Sequence, residues 1–126
     1  MARLTLVPVD GKFAVCRLAA DASVPSWAAG GPFISITRTD SELSVLCRQE
    51  AVPEGVRCER GWRCLRVAGT LDFSLVGVLA SLLNPLAEAG ISVFVVSTFD
   101  TDYLLVKLPN FEKAMTLFRQ VGHTIQ

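Results

Sequence analysis

Residues 33–46 read FISITRTDSELSVL, and residues 93–106 read VFVVSTFDTDYLLV. Each is a pair of apolar, β-prone runs broken by a short polar turn. Laid over one another at an offset of 60, Thr37 falls on Ser97, Asp40 on Asp100, Ser41 on Thr101 and Glu42 on Asp102. Apolar positions largely face apolar positions, although Ser35 and Ser44 oppose Val95 and Leu104. The runs before them also match, AVCRLA at 14–19 against RCLRVA at 63–68, with an offset of about 50. A repeat of this kind constrains the architecture before single elements are assigned. It predicts two copies of one β-α-β-β unit, roughly residues 1–60 and 61–126, sharing one compact structural domain.

The copies differ in what joins their strands. In the second, DFSLVGVLASLLNPLAEAG (72–90) places Leu75, Val78, Leu79, Leu82 and Leu86 on one helical face. Asp72 or Ser74 is suited to cap that helix, and Gly90 to end it. Pro85 is expected to kink or tighten its last turn. In the first copy the crossover shrinks to SVPSWAAG (23–30), enough for about one helical turn. The strands ISVFVVS and DYLLVKL follow the long helix. A second helix is capped by Asn110, carries Phe111, Ala114, Met115, Phe118 and Val121 on its apolar stripe, and ends at Gly122. Thr124-Ile125 then returns to a sheet edge. At the N-terminus, Asp10-Gly11 between LTLVPV and KFAVCRLA reads as a hairpin turn. The expected class is α+β: a helix-covered, ferredoxin-like sheet of tandem β-α-β-β-α units, the first degenerate.

Composition narrows the function. The chain has 126 residues, 51% hydrophobic and 19% charged, with Lys plus Arg balancing Asp plus Glu at 12 each. This supports a packed core and gives no footprint for a nucleic-acid backbone or an anionic membrane. The most apolar window, Leu75–Val96, is interrupted by Asn84, Pro85, Glu88 and Gly90, so no spanning helix is expected. No signal peptide is read at the N-terminus, and the expected location is the cytoplasm. Cys16, Cys47, Cys58 and Cys64 form no C-x-x-C pair, and the single His123 lies near the end of the sequence. Neither a metal site nor a cofactor is expected, and the cysteines read as reduced thiols, some packed as small hydrophobes. Trp27 and Trp62 read as packing residues. With no nucleophile elbow or phosphate-binding glycine loop, no catalytic residue is assigned.

The segments GPFISITRT, EGVRCERGWRCLRVAGTLDFSLVGVLASLL and EAGISVFVVSTFDTDYLLVK resemble the small ACT-domain proteins, in particular bacterial relatives of cytosolic arginine sensors. The most specific pieces are the runs GTLDFSLVGVL and STFDTDYLLV, and the likeness covers nearly the whole chain. The resemblance implies an ACT fold, usually present in pairs, that binds small molecules, often amino acids, between domains and regulates without catalysing. It places the ligand near the strand–helix loop 69–74 and the turn 97–102. It gives Asp102 the position of an aspartate suited to an α-ammonium group. The arginine sensors are longer, with four ACT units in one chain, so two units here would need a homodimer to rebuild that arrangement.

The residues themselves suit such a ligand. Gly69, Thr70, Leu71 and Asp72 lead into a helix N-terminus, where backbone N–H groups and the helix dipole favour a carboxylate. Gly69 tolerates positive φ and close approach. Strand 92–97 is expected parallel to strand 63–67 and adjacent or nearly so, which brings Ser97, Thr98, Asp100 and Asp102 to the same edge as Gly69. Each also has a plainer reading: Asp72 as a helix cap, Asp100 as a turn residue, Ser97 and Thr98 as partners for local backbone groups. A structural dimerisation module with no ligand is the alternative function.

Overall fold

The computed structural model describes residues 3–69 and 77–126. Seven strands and two α-helices lie within them: β1 (Thr5–Leu18), β2 (Ser35–Arg38), β3 (Leu43–Arg48), β4 (Cys58–Val67), α1 (Val78–Glu88), β5 (Phe94–Ser97), β6 (Asp102–Lys107), α2 (Phe111–Gln120) and β7 (Thr124–Ile125). The fold is α+β and sheet-dominated.

Asp10-Gly11 makes no hairpin. β1 runs through it as one strand because its two halves have different partners. Thr5 and Leu6 pair in parallel with Thr124 and Ile125 of β7, whereas Phe13–Leu18 pair antiparallel with Arg48–Leu43 of β3. Gly11 takes φ +95° within β1, and Gly61 takes φ +84° within β4, fifty positions later. Backbone contacts divide the chain into two units, Met1–Val9 with Arg63–Gln126, and Asp10–Trp62. β1 and β4 each contribute one half to each unit.

In the unit Asp10–Trp62 the strand order is β2-β3-β1-β4. One face is filled by Ala14, Cys16, Leu43, Val45 and Cys47, with Ala28 and Trp27 from a single 3₁₀ turn, Ser26–Ala28. That turn occupies the place of the shortened crossover. All four cysteines are free thiols, and Cys16, Cys47 and Cys64 are buried.

In the other unit the order is β1-β4-β6-β5, with β7 on the outer side of β1. β5 is therefore one strand removed from β4, with β6 between them. The core here joins Leu6, Val67, Leu82, Leu86, Leu104 and Phe118. The expected stripes hold at Val78, Leu82 and Leu86 of α1 and at Phe111, Ala114, Met115 and Phe118 of α2. They fail at Val121, which stands 43% exposed just past the end of α2. Asn110 does occupy the N-cap of α2, but its side chain makes no capping bond, because a 3₁₀ turn, Leu108–Asn110, feeds directly into the helix. α1 begins at Val78 with Gly77 at its N-cap, at φ +77°. Asp72 and Ser74, the expected caps, lie outside the described residues, as does Leu75. Gly90, at φ +71°, closes the other end, with Ile91 N–H donating to the Leu86 carbonyl at 2.9 Å.

Pro85 lies inside α1 and has no N–H to give the Ser81 carbonyl four residues back. The buried His123 supplies the missing donor: its Nε2 lies 3.1 Å from that oxygen. Its Nδ1 accepts from the Leu4 N–H, also at 3.1 Å, which fixes the tautomer as Nε2–H. The lone histidine thus ties α1 to the start of β1.

The two hairpins correspond at an offset of 59, not 60. Arg38↔Leu43 closes the β2–β3 ladder and Ser97↔Asp102 closes the β5–β6 ladder. Asp102 therefore matches Leu43, and Asp100 matches Ser41. Sequence overlay had aligned the aspartates of the two turns, but ladder closure sets register.

The candidate ligand site at the 97–102 turn

The STFDTD turn is held by its own side chains. The Thr98 N–H donates to the Thr101 carbonyl at 2.8 Å, and the Thr101 N–H donates to Thr98 Oγ1 at 3.2 Å. Thr98 Oγ1 in turn donates to the Thr101 carbonyl at 3.0 Å. This is the plainer reading of Thr98: it satisfies local backbone groups. The first hairpin closes with the same device, Thr39 N–H to the Glu42 carbonyl at 2.9 Å and Glu42 N–H to Thr39 Oγ1 at 3.2 Å.

Ser97 and Asp102 face each other across the last ladder position, and Ser97 Oγ donates to Asp102 Oδ1 at 2.5 Å. The serine thus holds one oxygen of the half-buried carboxylate. Phe99 and Asp100 occupy the tip, both exposed, Phe99 at 78%.

Thr101 is the residue that places this turn. It is buried, and its Oγ1 donates to the Val67 carbonyl at 2.7 Å. Val67 is the last residue of β4, and Gly69 follows two positions later. Gly69 is exposed at φ +82°, and a Cβ built on it would meet nothing within 4 Å. Backbone conformation, not crowding by the protein, is what demands glycine there. The structure thus brings Gly69, Ser97, Thr98, Asp100 and Asp102 to one edge. Thr70, Leu71 and Asp72 lie outside the described residues. Sequence reasoning passed over Thr101, which reads as one more turn hydroxyl; its burial is visible only once β6 is known to lie beside β4.

His123 is committed to Leu4 and Ser81 and takes no part at this edge. Among the described residues, no group of three or more His, Cys, Asp or Glu side chains could hold a metal ion. Two cavities lie apart from the turn. One, of about 260 Å³, is lined by Pro85, Glu88, Ala89, Leu117, Gln120 and Val121. The other, of about 250 Å³, lies within the unit Asp10–Trp62.

A family model described as the ACT domain matches residues 57–120, and a second, for an N-terminal domain, matches residues 11–55. This chain belongs to the ACT-domain family. Among curated proteins it is similar to the cytosolic arginine sensor for mTORC1 subunit 1: 30% identical over 99 residues to the mouse protein, covering 67% of this chain and 30% of that one. The human protein is 44% identical over 46 residues, 36% of this chain. The chain therefore spans under a third of the length of those relatives. Among solved structures, a protein from Agobacterium tumefaciens superposes with a TM-score of 0.95 at 41% identity, over 100% of this chain and 94% of that one. The regulatory subunit of aspartate kinase from Thermus thermophilus superposes at 0.61 with 13% identity, over 90% and 93% of the two chains, a likeness of fold. Both comparisons with regulatory proteins agree with an ACT-type regulatory fold. No described helix is long and apolar enough to cross a membrane.

Proposed function

We propose that this chain is a non-catalytic regulatory module that binds an amino acid or a closely similar metabolite at the edge formed by the loop 69–72 and the turn 97–102. The observation that supports this reading is the Thr101–Val67 hydrogen bond, which ties the turn 97–102 to the end of β4, two residues before Gly69. In the proposal Asp102, oriented by Ser97, receives the ligand's ammonium group. Backbone N–H groups of Gly69, Thr70, Leu71 and Asp72 receive its carboxylate. Asp100 lies at the turn's tip and contributes less. The module acts in the cytoplasm as a homodimer, with the site between domains or subunits. Residues 1–60 are a degenerate copy, and residues 61–126 the full copy, of one ACT-like unit, a reading supported by the 59-residue offset of their hairpins.

Thermal-shift measurements against the twenty amino acids at millimolar concentration test the proposal. A stabilising shift from one chemical class supports it; no shift from any overturns an amino-acid site. Charge-assisted hydrogen bonds contribute about 1.5–3 kcal/mol, so Asp102→Ala should weaken binding by about 10- to 100-fold. Asp100→Ala should change it by less than about threefold, the scale of a screened surface charge. A second reading, an interaction module without a ligand, draws on the exposed Ile36 on edge strand β2. It requires a dimer whose stability ignores every metabolite and is unaffected by Asp102→Ala.

A further inference from the structure

The unit Asp10–Trp62 brings together two thiols that the ligand site does not use. The Arg17 N–H donates to the Arg57 carbonyl at 2.9 Å, and the Ala68 N–H donates to the Thr5 carbonyl at 2.8 Å. Going up β1 from Thr5 to Arg17 therefore goes down β4 from Ala68 to Arg57, so the two strands are antiparallel. With Arg17 bonded to Arg57, the residues directly opposed one step inward are Cys16 and Cys58. They form a non-hydrogen-bonded pair, the ladder position at which Cα atoms lie closest, about 4.5 Å apart. Disulfides bridge Cα separations of about 4.4–6.8 Å. Cys47, opposite Ala14 on β3, shares this face, and its thiol lies within hydrogen-bonding reach of Cys16, so it is the competing partner that the test must separate from Cys58.

Access and chemistry differ between the two sulfurs. Cys58 is half-buried, whereas Cys16 is 1% exposed. Both line the cavity of about 250 Å³, together with Arg17, Glu42, Arg57 and Glu59. By strand alternation the side chains of Arg17, Arg57 and Glu59 stand on the face opposite the two sulfurs, so the half-buried Cys58 is where a small disulfide meets the pair.

We propose that Cys16 and Cys58 are a redox pair that closes to a disulfide by exchange with a low-molecular-weight disulfide, RSSR, that reaches the pair at Cys58. The Cys58 thiolate attacks one sulfur of RSSR, the S–S bond breaks, and the first RS⁻ leaves and takes up the proton that Cys58 lost. The Cys16 sulfur then gives up its proton and attacks Cys58 Sγ, forming the internal disulfide and expelling the second thiol. Two protein thiols are oxidised and one RSSR is reduced to two RSH. Burial pushes the Cys16 thiol up to about 12, so Cys58 must react first, and Cys16 follows only because the mixed disulfide is held against it.

The test uses the native chain with oxidised glutathione in excess over reduced glutathione. Intact mass should show the loss of two hydrogens, and peptide mapping should join Cys16 to Cys58. Cys16→Ser should instead accumulate a glutathione adduct on Cys58, and Cys58→Ser should give neither product. Cys47→Ser and Cys64→Ser should still form the bridge. Mapping on the unsubstituted chain needs no variant to fold. A bridge that includes Cys47 or Cys64, or a native chain that ends as a stable adduct at Cys58 without closing, overturns the proposal.

Discussion

Two residues of the 97–102 turn divide its work. Asp102 offers the charge and Thr101 fixes where the charge sits. Thr101 bridges the turn to the end of β4 through a buried hydroxyl. Thr101→Val keeps the shape and strands the Val67 carbonyl, so urea unfolding should show a loss of about 1–3 kcal/mol. Any ligand response should weaken with it, though Thr101 touches no ligand in the proposed arrangement. The sequence exposed Asp102 because an acid at the start of an apolar strand stands out against the strand's pattern. It hid Thr101, since a threonine in a turn has several local uses and its burial depends on a strand 34 positions earlier.

At the scale of elements, periodicity carried most of the information. The faces of α1 and α2 were legible because buried positions recur at the helical period. Their ends were less so. The N-cap of α1 is Gly77, a residue that offers no side-chain oxygen to read, and α2 is entered through a 3₁₀ turn that removes the need for Asn110 to cap. Asp10-Gly11 misled for a related reason: the dipeptide satisfies the local rules of a hairpin, and only the competition between β7 and β3 for the two halves of β1 rejects it. Pro85 and His123, 38 positions apart, form one device that no local rule reveals. His123→Phe removes both of its hydrogen bonds and should destabilise the chain by about 2–4 kcal/mol, from two buried backbone groups left unpaired. Pro85→Ala restores a donor to the Ser81 carbonyl. In the double variant the loss should shrink by about 1 kcal/mol or more relative to additivity, measured as a double-mutant cycle in urea.

For the whole molecule, the buried thiols set an upper pH limit. Burial raises Cys64 and Cys16 to about 12 from 9.0, and raises Cys47 in the same direction. The folded chain keeps these protons when the unfolded chain has lost them. Stability is therefore fully present below pH 9 and falls as pH rises toward 12. Unfolding free energy measured at successive pH values above 9 should decline, and Cys64→Ala should make the decline shallower.

The sharing of β1 has a consequence for anyone who cuts the gene between codons 60 and 61. Residues 61–126 made alone would lack Thr5–Val9, the strand that sits between β7 and β4 and carries the fully buried Leu6. β4 would become a bare edge and β7 would lose its pairing with β1. Such a fragment should aggregate or stay partly unfolded in circular dichroism. A synthetic peptide of residues 1–10, added in trans, should restore its structure, much as a missing stave restores a cask. The span 61–126 and the unit that packs around its helices are thus different lengths of the same chain.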